Sequence, residues 1–176
     1  MQLSQFLGTS SGVHRGTSYT IYMKLTSPVF DENGSIPAQY TCDGERLLSP
    51  PLYITDVPEG AQSLVLIMDD PDVPAEVMPE KLFTHWVLFD IPPDTEGIPE
   101  GMQAGHLGMN TAGDASYTGP CPPPNYDPPE HRYFFKLFAL DTMLNLPAGS
   151  SREHVENAMD GHVIERIELV GRYSRI

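Results

Sequence analysis

Apolar positions in this chain come in short blocks separated by proline, glycine and acid, and the blocks predict strands rather than long helices. Ser63 to Met68 (SLVLIM) is continuously apolar, with turn signals before it and acid plus proline after it. Such a run predicts a strand covered on both faces. Phe83 to Ile91 (FTHWVLFDI) predicts the next strand, ended by Pro92-Pro93. Strict alternation puts Phe83, His85, Val87, Phe89 and Ile91 on one face, with Trp86 and Leu88 on the other. Tyr133 to Leu140 (YFFKLFAL) is a third strong strand, and the alternating stretch Arg166 to Tyr173 is the last. One helix is expected from Ser151 to about Asp160, with Ser150 and Glu153 as a capping box and Gly161 as its stop. Val155, Ala158 and Met159 give it an apolar stripe.

The remaining segments are punctuation. Asn33-Gly34 is a turn dipeptide, and that reading is preferred to Asn33-Gly34-Ser35 as a glycosylation acceptor. Cys42-Asp43-Gly44-Glu45 is a turn or loop, and Ser49-Pro50-Pro51 enforces extended backbone before Leu52-Tyr53-Ile54. Residues 94–130 have little periodicity and include the cluster Pro120-Cys121-Pro122-Pro123-Pro124. A segment of this length between apolar blocks reads as a binding loop. Residues 1–22 are rich in Ser, Thr and Gly, with one base (Arg15) and no acid. They are expected to be a flexible extension to a domain spanning 23–176.

A chain of 176 residues, 40% of them hydrophobic, is one globular domain able to bury a core. Its net charge of −14 disfavours nucleic acid and anionic membrane surfaces as partners. No apolar run reaches the roughly 18 residues of a membrane span. With only Cys42 and Cys121 present, two reduced thiols in a cytoplasmic protein are expected, and a bridge between them stays open as the alternative. Neither a P-loop nor a Gly-x-Ser-x-Gly nucleophile motif is present.

Candidate chemistry gathers at strand ends. Asp69 and Asp70 close one predicted strand, His85 opens the next, and His131 opens the third. If the first two strands are antiparallel neighbours and the third runs parallel to the second, Asp70, Asp72, His85 and His131 converge on one sheet edge. Pro71 and Pro74 stiffen the turn carrying the two acids, and a cis bond is expected at Val73-Pro74. Carboxylates favour charged histidines, which donate to phosphate or carboxylate oxygens. Tyr117, just before Gly119-Pro120, offers a hydroxyl donor.

Asp70-Pro71-Asp72-x-Pro74, His85-Trp86, Tyr117-x-Gly119-Pro120 and His131-Arg132-Tyr133, in this order and spacing, resemble the phosphatidylethanolamine-binding protein (PEBP) family. The resemblance runs from about Met23 to Arg175 and is closest to the bacterial and archaeal Raf kinase inhibitor-like branch. It implies a mainly β fold, with a large antiparallel sheet packed on a smaller one and a helix near the C-terminus. It also implies a small anion pocket lined by Asp70, Asp72, His85, Pro122 and His131, with Tyr117 nearby. Phosphate or a phosphorylated head group is the implied ligand. No cofactor is expected, and homodimers are. Inhibition of a kinase or serine protease through the surface is an alternative role. An acid–base enzyme using Asp70 and His131, or a metal-dependent hydrolase, is a further alternative to a binding domain. The chain departs from the family pattern at Arg46 to Ser49, at Tyr53-Ile54 and at Glu130 before His131, all near the expected pocket rim.

Overall fold

The computed structural model describes residues 22–125 and 127–175. The expected flexible extension therefore lies outside the described residues, apart from Tyr22. Among the described residues, eight strands form two sheets. The smaller contains β1 (Lys24–Thr26), β2 (Leu52–Thr55) and β5 (Gly97–Ile98), in the order β1-β2-β5. The larger contains β3 (Ser63–Asp70), β4 (Phe83–Ile91), β6 (His106–Leu107), β7 (Glu130–Leu140) and β8 (Val163–Ser174), in the order β6-β4-β3-β7-β8. Every strand pair is antiparallel. The single α-helix among the described residues, α1, spans Arg152–Met159.

β3 is central and buried along its whole length, as its unbroken apolar run requires. Leu64, Leu66 and Met68 face the small sheet and join Leu25, Leu52, Ile54 and Ile98 in the main core. Val65 and Ile67 face the other way, against Val155 and Met159 of α1. The fold is therefore three layers: small sheet, large sheet, helix.

Several local expectations are corrected. β4 does not keep strict alternation. Its register with β3 shifts between Met68/Trp86 and Asp69/Thr84, leaving His85 unmatched. A second shift lies between Leu66/Leu88 and Leu64/Ile91, where Asp90 has φ 51°. The second bulge carries Ile91 into the main core with Trp86 and Leu88, while Val87 and Phe89 face the helix. The helix is capped by Ser151, whose hydroxyl accepts from the His154 amide at 3.2 Å. Ser150 instead donates to the Pro147 carbonyl. The cis bond is Asp127–Pro128; Pro74 is trans and begins a tight turn, its carbonyl accepting from Val77 and Met78. Cys42 and Cys121 are not free thiols but a disulfide, their Cα atoms 5.4 Å apart. The fold brings together two residues 79 apart in sequence, a proximity that spacing alone does not reveal.

Candidate functional site

Because β3 is antiparallel to both β4 and β7, β4 and β7 run parallel on either side of it. The C-terminal end of β3 thus meets the starts of both neighbours, and Asp70, His85 and His131 come together. The bulge at His85 matters here. With ordinary alternation its ring would point to the helix side; instead it packs edge-on against Tyr133, ring centroids 5.2 Å apart, on the main-core side. Tyr133 is two residues beyond His131 on β7, so the two share a face, and their rings stack at 6.5 Å.

Asp70 is the hub. Its Oδ2 accepts from His131 Nδ1 at 2.7 Å, and His85 Nε2 lies 4.0 Å from the same oxygen. Its Oδ1 accepts from the Asp72 amide at 2.8 Å, an Asx turn that pins the Pro71 corner. These bonds decide the tautomers. An ionised carboxylate only accepts, so His131 carries a proton on Nδ1 and presents Nε2 to the site. His85 Nδ1 donates to the Thr118 carbonyl at 2.8 Å, so His85 also presents Nε2. Burial pushes the His85 pKa below the ordinary histidine value, against the opposing pull of the Thr118 carbonyl and of Asp70 and Asp69. Burial, with help from Asp70, pushes the Tyr133 hydroxyl pKa up, so Tyr133 is a neutral O–H donor.

Among the described residues, three buried side-chain polar atoms have no hydrogen-bond partner: His85 Nε2, His131 Nε2 and Tyr133 Oη. All three belong to this one cluster. Buried polar groups are nearly always paired, so three orphans on rings packed together call for a polar ligand or water. The histidines are 4% and 1% exposed, so whatever fits is small. A shallow depression of about 350 Å³, lined by Asp43, Pro124, Tyr173, Ser174 and Arg175, lies on the β8 side, where Tyr173 is in register with His131. A larger groove of about 920 Å³ runs between β2 and residues 93–100, but it contains no histidine and none of the orphaned atoms.

The other expected site residues sit differently. The Asp72 carboxylate is committed to Arg132, accepting from its amide, Nε and Nη2 at 2.9, 2.8 and 2.7 Å. The Arg132 guanidinium holds the Asp72 pKa down. Asp72 thus ties the acid turn to β7 rather than facing the histidines. Tyr117 packs against Trp86 and donates its hydroxyl to the Tyr40 carbonyl at 2.7 Å, so this donor is already used. Pro122 is buried one residue beyond the disulfide. Tyr133 is the member that motif reading passed over; its position two residues after His131 was the available signal. No group of three or more His, Cys, Asp or Glu side chains placed to share a metal ion occurs among the described residues.

Comparison with known proteins agrees with this architecture. The family described as phosphatidylethanolamine-binding protein matches residues 26–174. The chain belongs to that family. A UPF0098 protein of Methanothermobacter thermautotrophicus is 48% identical over 160 residues, covering 87% of this chain and 99% of that protein. UPF0098 protein PH1269 of Pyrococcus horikoshii is 47% identical over 158 residues, covering 85% and 75%. The crystal structure of a PEBP homologue from Chlamydia trachomatis superposes with a TM-score of 0.83 at 42% identity, covering 88% of this chain and 99% of that one. Escherichia coli YbcL, described as a member of the mammalian PEBP family, gives a TM-score of 0.77 at 25% identity, covering 89% and 100%. The expected mainly β fold, with a large and a small antiparallel sheet and one helix, is the fold of this chain.

Proposed function

We propose that this protein binds a small oxyanion, phosphate or a phosphorylated head group, between His85, His131 and Tyr133, and that it acts as a regulatory binding protein. The observation that carries the reading is that all three orphaned buried polar atoms belong to rings packed against one another. Tyr133 donates to the anion. Each histidine donates through Nε2 once its ring holds a second proton. Asp70 orients His131 and balances the added charge.

The pH dependence follows with a definite sign. Burial favours neutral His85 in the empty site. A bound anion favours the imidazolium, so binding takes up protons and weakens as pH rises. Calorimetric titration with phosphate, phosphoethanolamine and sulfate at about pH 6 and about pH 8 tests this, sulfate keeping the same charge across the range. Tighter binding at the lower pH is expected for sulfate as well as for the phosphates. No heat from any of the three at either pH would sink the reading.

The Asp70–His131 pair also has the form of a carboxylate orienting a general base, so acid–base turnover is the second reading. Hydrolysis of phosphate esters that disappears in His131→Ala would favour it. Action on a kinase or serine protease and association as homodimers extend the proposal and rest on family resemblance alone. No helix among the described residues is long and apolar enough to cross a membrane. A cytoplasmic setting is part of the same proposal, and there an exposed disulfide meets glutathione and thioredoxin-class dithiols.

A further inference from the structure

We propose that the Cys42–Cys121 disulfide is a redox-responsive clasp on the pocket, opened by dithiol reductants, and that opening it lowers affinity for the anion. The inference rests on the anion-binding reading above for its effect on affinity, but not for the clasp itself. Both cysteines are exposed, so a dithiol can reach the sulfurs. The disulfide joins two surface loops, one holding His85 through the Thr118 carbonyl and the other carrying Asp43 to the depression on the β8 side.

On the Cys121 side, the loop begins at Thr118. Its carbonyl accepts from His85 Nδ1 at 2.8 Å, and its amide donates to the His85 carbonyl at 2.9 Å. This reciprocal pair fixes which nitrogen His85 presents to the site. Pro122, buried, follows the cysteine directly. On the Cys42 side, the amide of Cys42 donates to the Pro120 carbonyl at 3.0 Å. Gly119 lies so close that an added Cβ would stand 2.9 Å from the Thr41 backbone. Asp43 then reaches across the depression beside the site, accepting from the Tyr173 hydroxyl at 2.7 Å and from Arg175 at 2.9 Å. The disulfide is the one covalent tie between these two loops. Without it, the junction is held by the Cys42–Pro120 backbone bond, the Tyr117 hydroxyl on the Tyr40 carbonyl and the packing of Gly119 on Thr41, hydrogen bonds and contacts that are individually weak.

The chemistry balances with a dithiol as co-reactant. A thiolate of the reductant attacks one sulfur of the pair, the S–S bond breaks, and the other sulfur leaves as a thiolate that takes a proton from water. The second thiol of the reductant then attacks the mixed disulfide and frees the first cysteine. Two electrons pass to the protein, which ends with two thiols, and the reductant ends as a disulfide.

The test compares the oxidised protein with the same protein after dithiothreitol, with free thiols counted in each. Phosphate binding is measured by calorimetry, and exchange of the Thr118 and Cys42 amides by NMR. The reduced protein is expected to bind phosphate roughly tenfold more weakly, as for a competent pocket populated about one-tenth of the time. Both amides are expected to exchange faster, and oxidised glutathione is expected to restore both readouts. A Cys42→Ser, Cys121→Ser double variant is expected to match the reduced protein and to ignore dithiothreitol. Two free thiols with unchanged affinity and unchanged exchange would overturn the clasp. If the oxidised protein does not bind phosphate, the anion reading fails by itself, and amide exchange alone decides for or against the clasp. A double variant that does not fold leaves the wild-type comparison intact.

Discussion

Tyr133 shows how much a single atom can decide. Its ring is wholly buried in the main core, and in the sequence it is one aromatic in a run of apolar residues. Only the fold reveals that its hydroxyl has no partner and that its ring packs against two histidines whose Nε2 atoms are in the same condition. Tyr117, also buried, spends its hydroxyl on the Tyr40 carbonyl. Tyr117, expected at the site, has its hydroxyl already used, whereas Tyr133, given no role from the sequence, has its hydroxyl free. This contrast gives a prediction. Tyr133→Phe removes an unsatisfied buried hydroxyl, so thermal stability without ligand should stay the same or rise. Phosphate affinity should fall by roughly tenfold or more, the worth of a hydrogen bond to a charged group, about 1.5–3 kcal/mol. A thermal melt and a calorimetric titration check the two halves. A variant that melts lower while binding phosphate normally would return Tyr133 to the core alone.

At the level of elements, β3 and β4 divide two jobs between two faces. Asp70 faces the candidate site, while Asp69, one residue earlier, faces the helix side and is fully buried. Its carboxylate accepts from Thr84 at 2.9 Å and Lys136 at 2.7 Å and lies 3.1 Å from Arg152 at the start of α1. This knot pins α1, β4 and β7 to the same strand end that carries Asp70. Asp69→Ala would leave Lys136 and Arg152 facing each other without their shared anion, although both keep some contact with water. A loss of about 3 kcal/mol is expected, the low end for breaking a buried pair, read from urea unfolding. Phosphate affinity of the folded variant should change far less, because Asp69 and Asp70 face opposite sides of the sheet. The register shift at His85 belongs to this scale too. The long strands were legible from apolar runs, while the two-residue strands β5 and β6 and the face of His85 were not. A bulge adds one residue without any mark in the hydrophobic pattern, and every residue beyond it changes side.

Across the whole molecule, an anion site sits in a chain of net charge −14. The site's own donors are buried and act at hydrogen-bond range, whereas the background repulsion acts over a Debye length or more. Raising a non-binding salt from about 20 mM to about 200 mM shortens that length and should speed phosphate association. Stopped-flow or NMR line-shape measurements would detect the change; a rate that falls with salt would mean that exposed cations, not the buried cluster, capture the anion.

Periodicity, turn residues and ordered motifs, which are local or additive along the chain, sufficed for the long strands, the helix and the family resemblance, and they put Asp70, His85 and His131 at strand ends. The antiparallel placement of β3 between β4 and β7 was a condition the sequence could state but not choose. The tertiary structure decided the rest: which face His85 takes, that Tyr133 and not Tyr117 has a free hydroxyl, that Asp72 serves Arg132, and that Cys42 bonds Cys121. Each of these depends on partners far apart in sequence. A hydrogen-bonding group is free or spent according to what the fold brings beside it, and no local pattern records that.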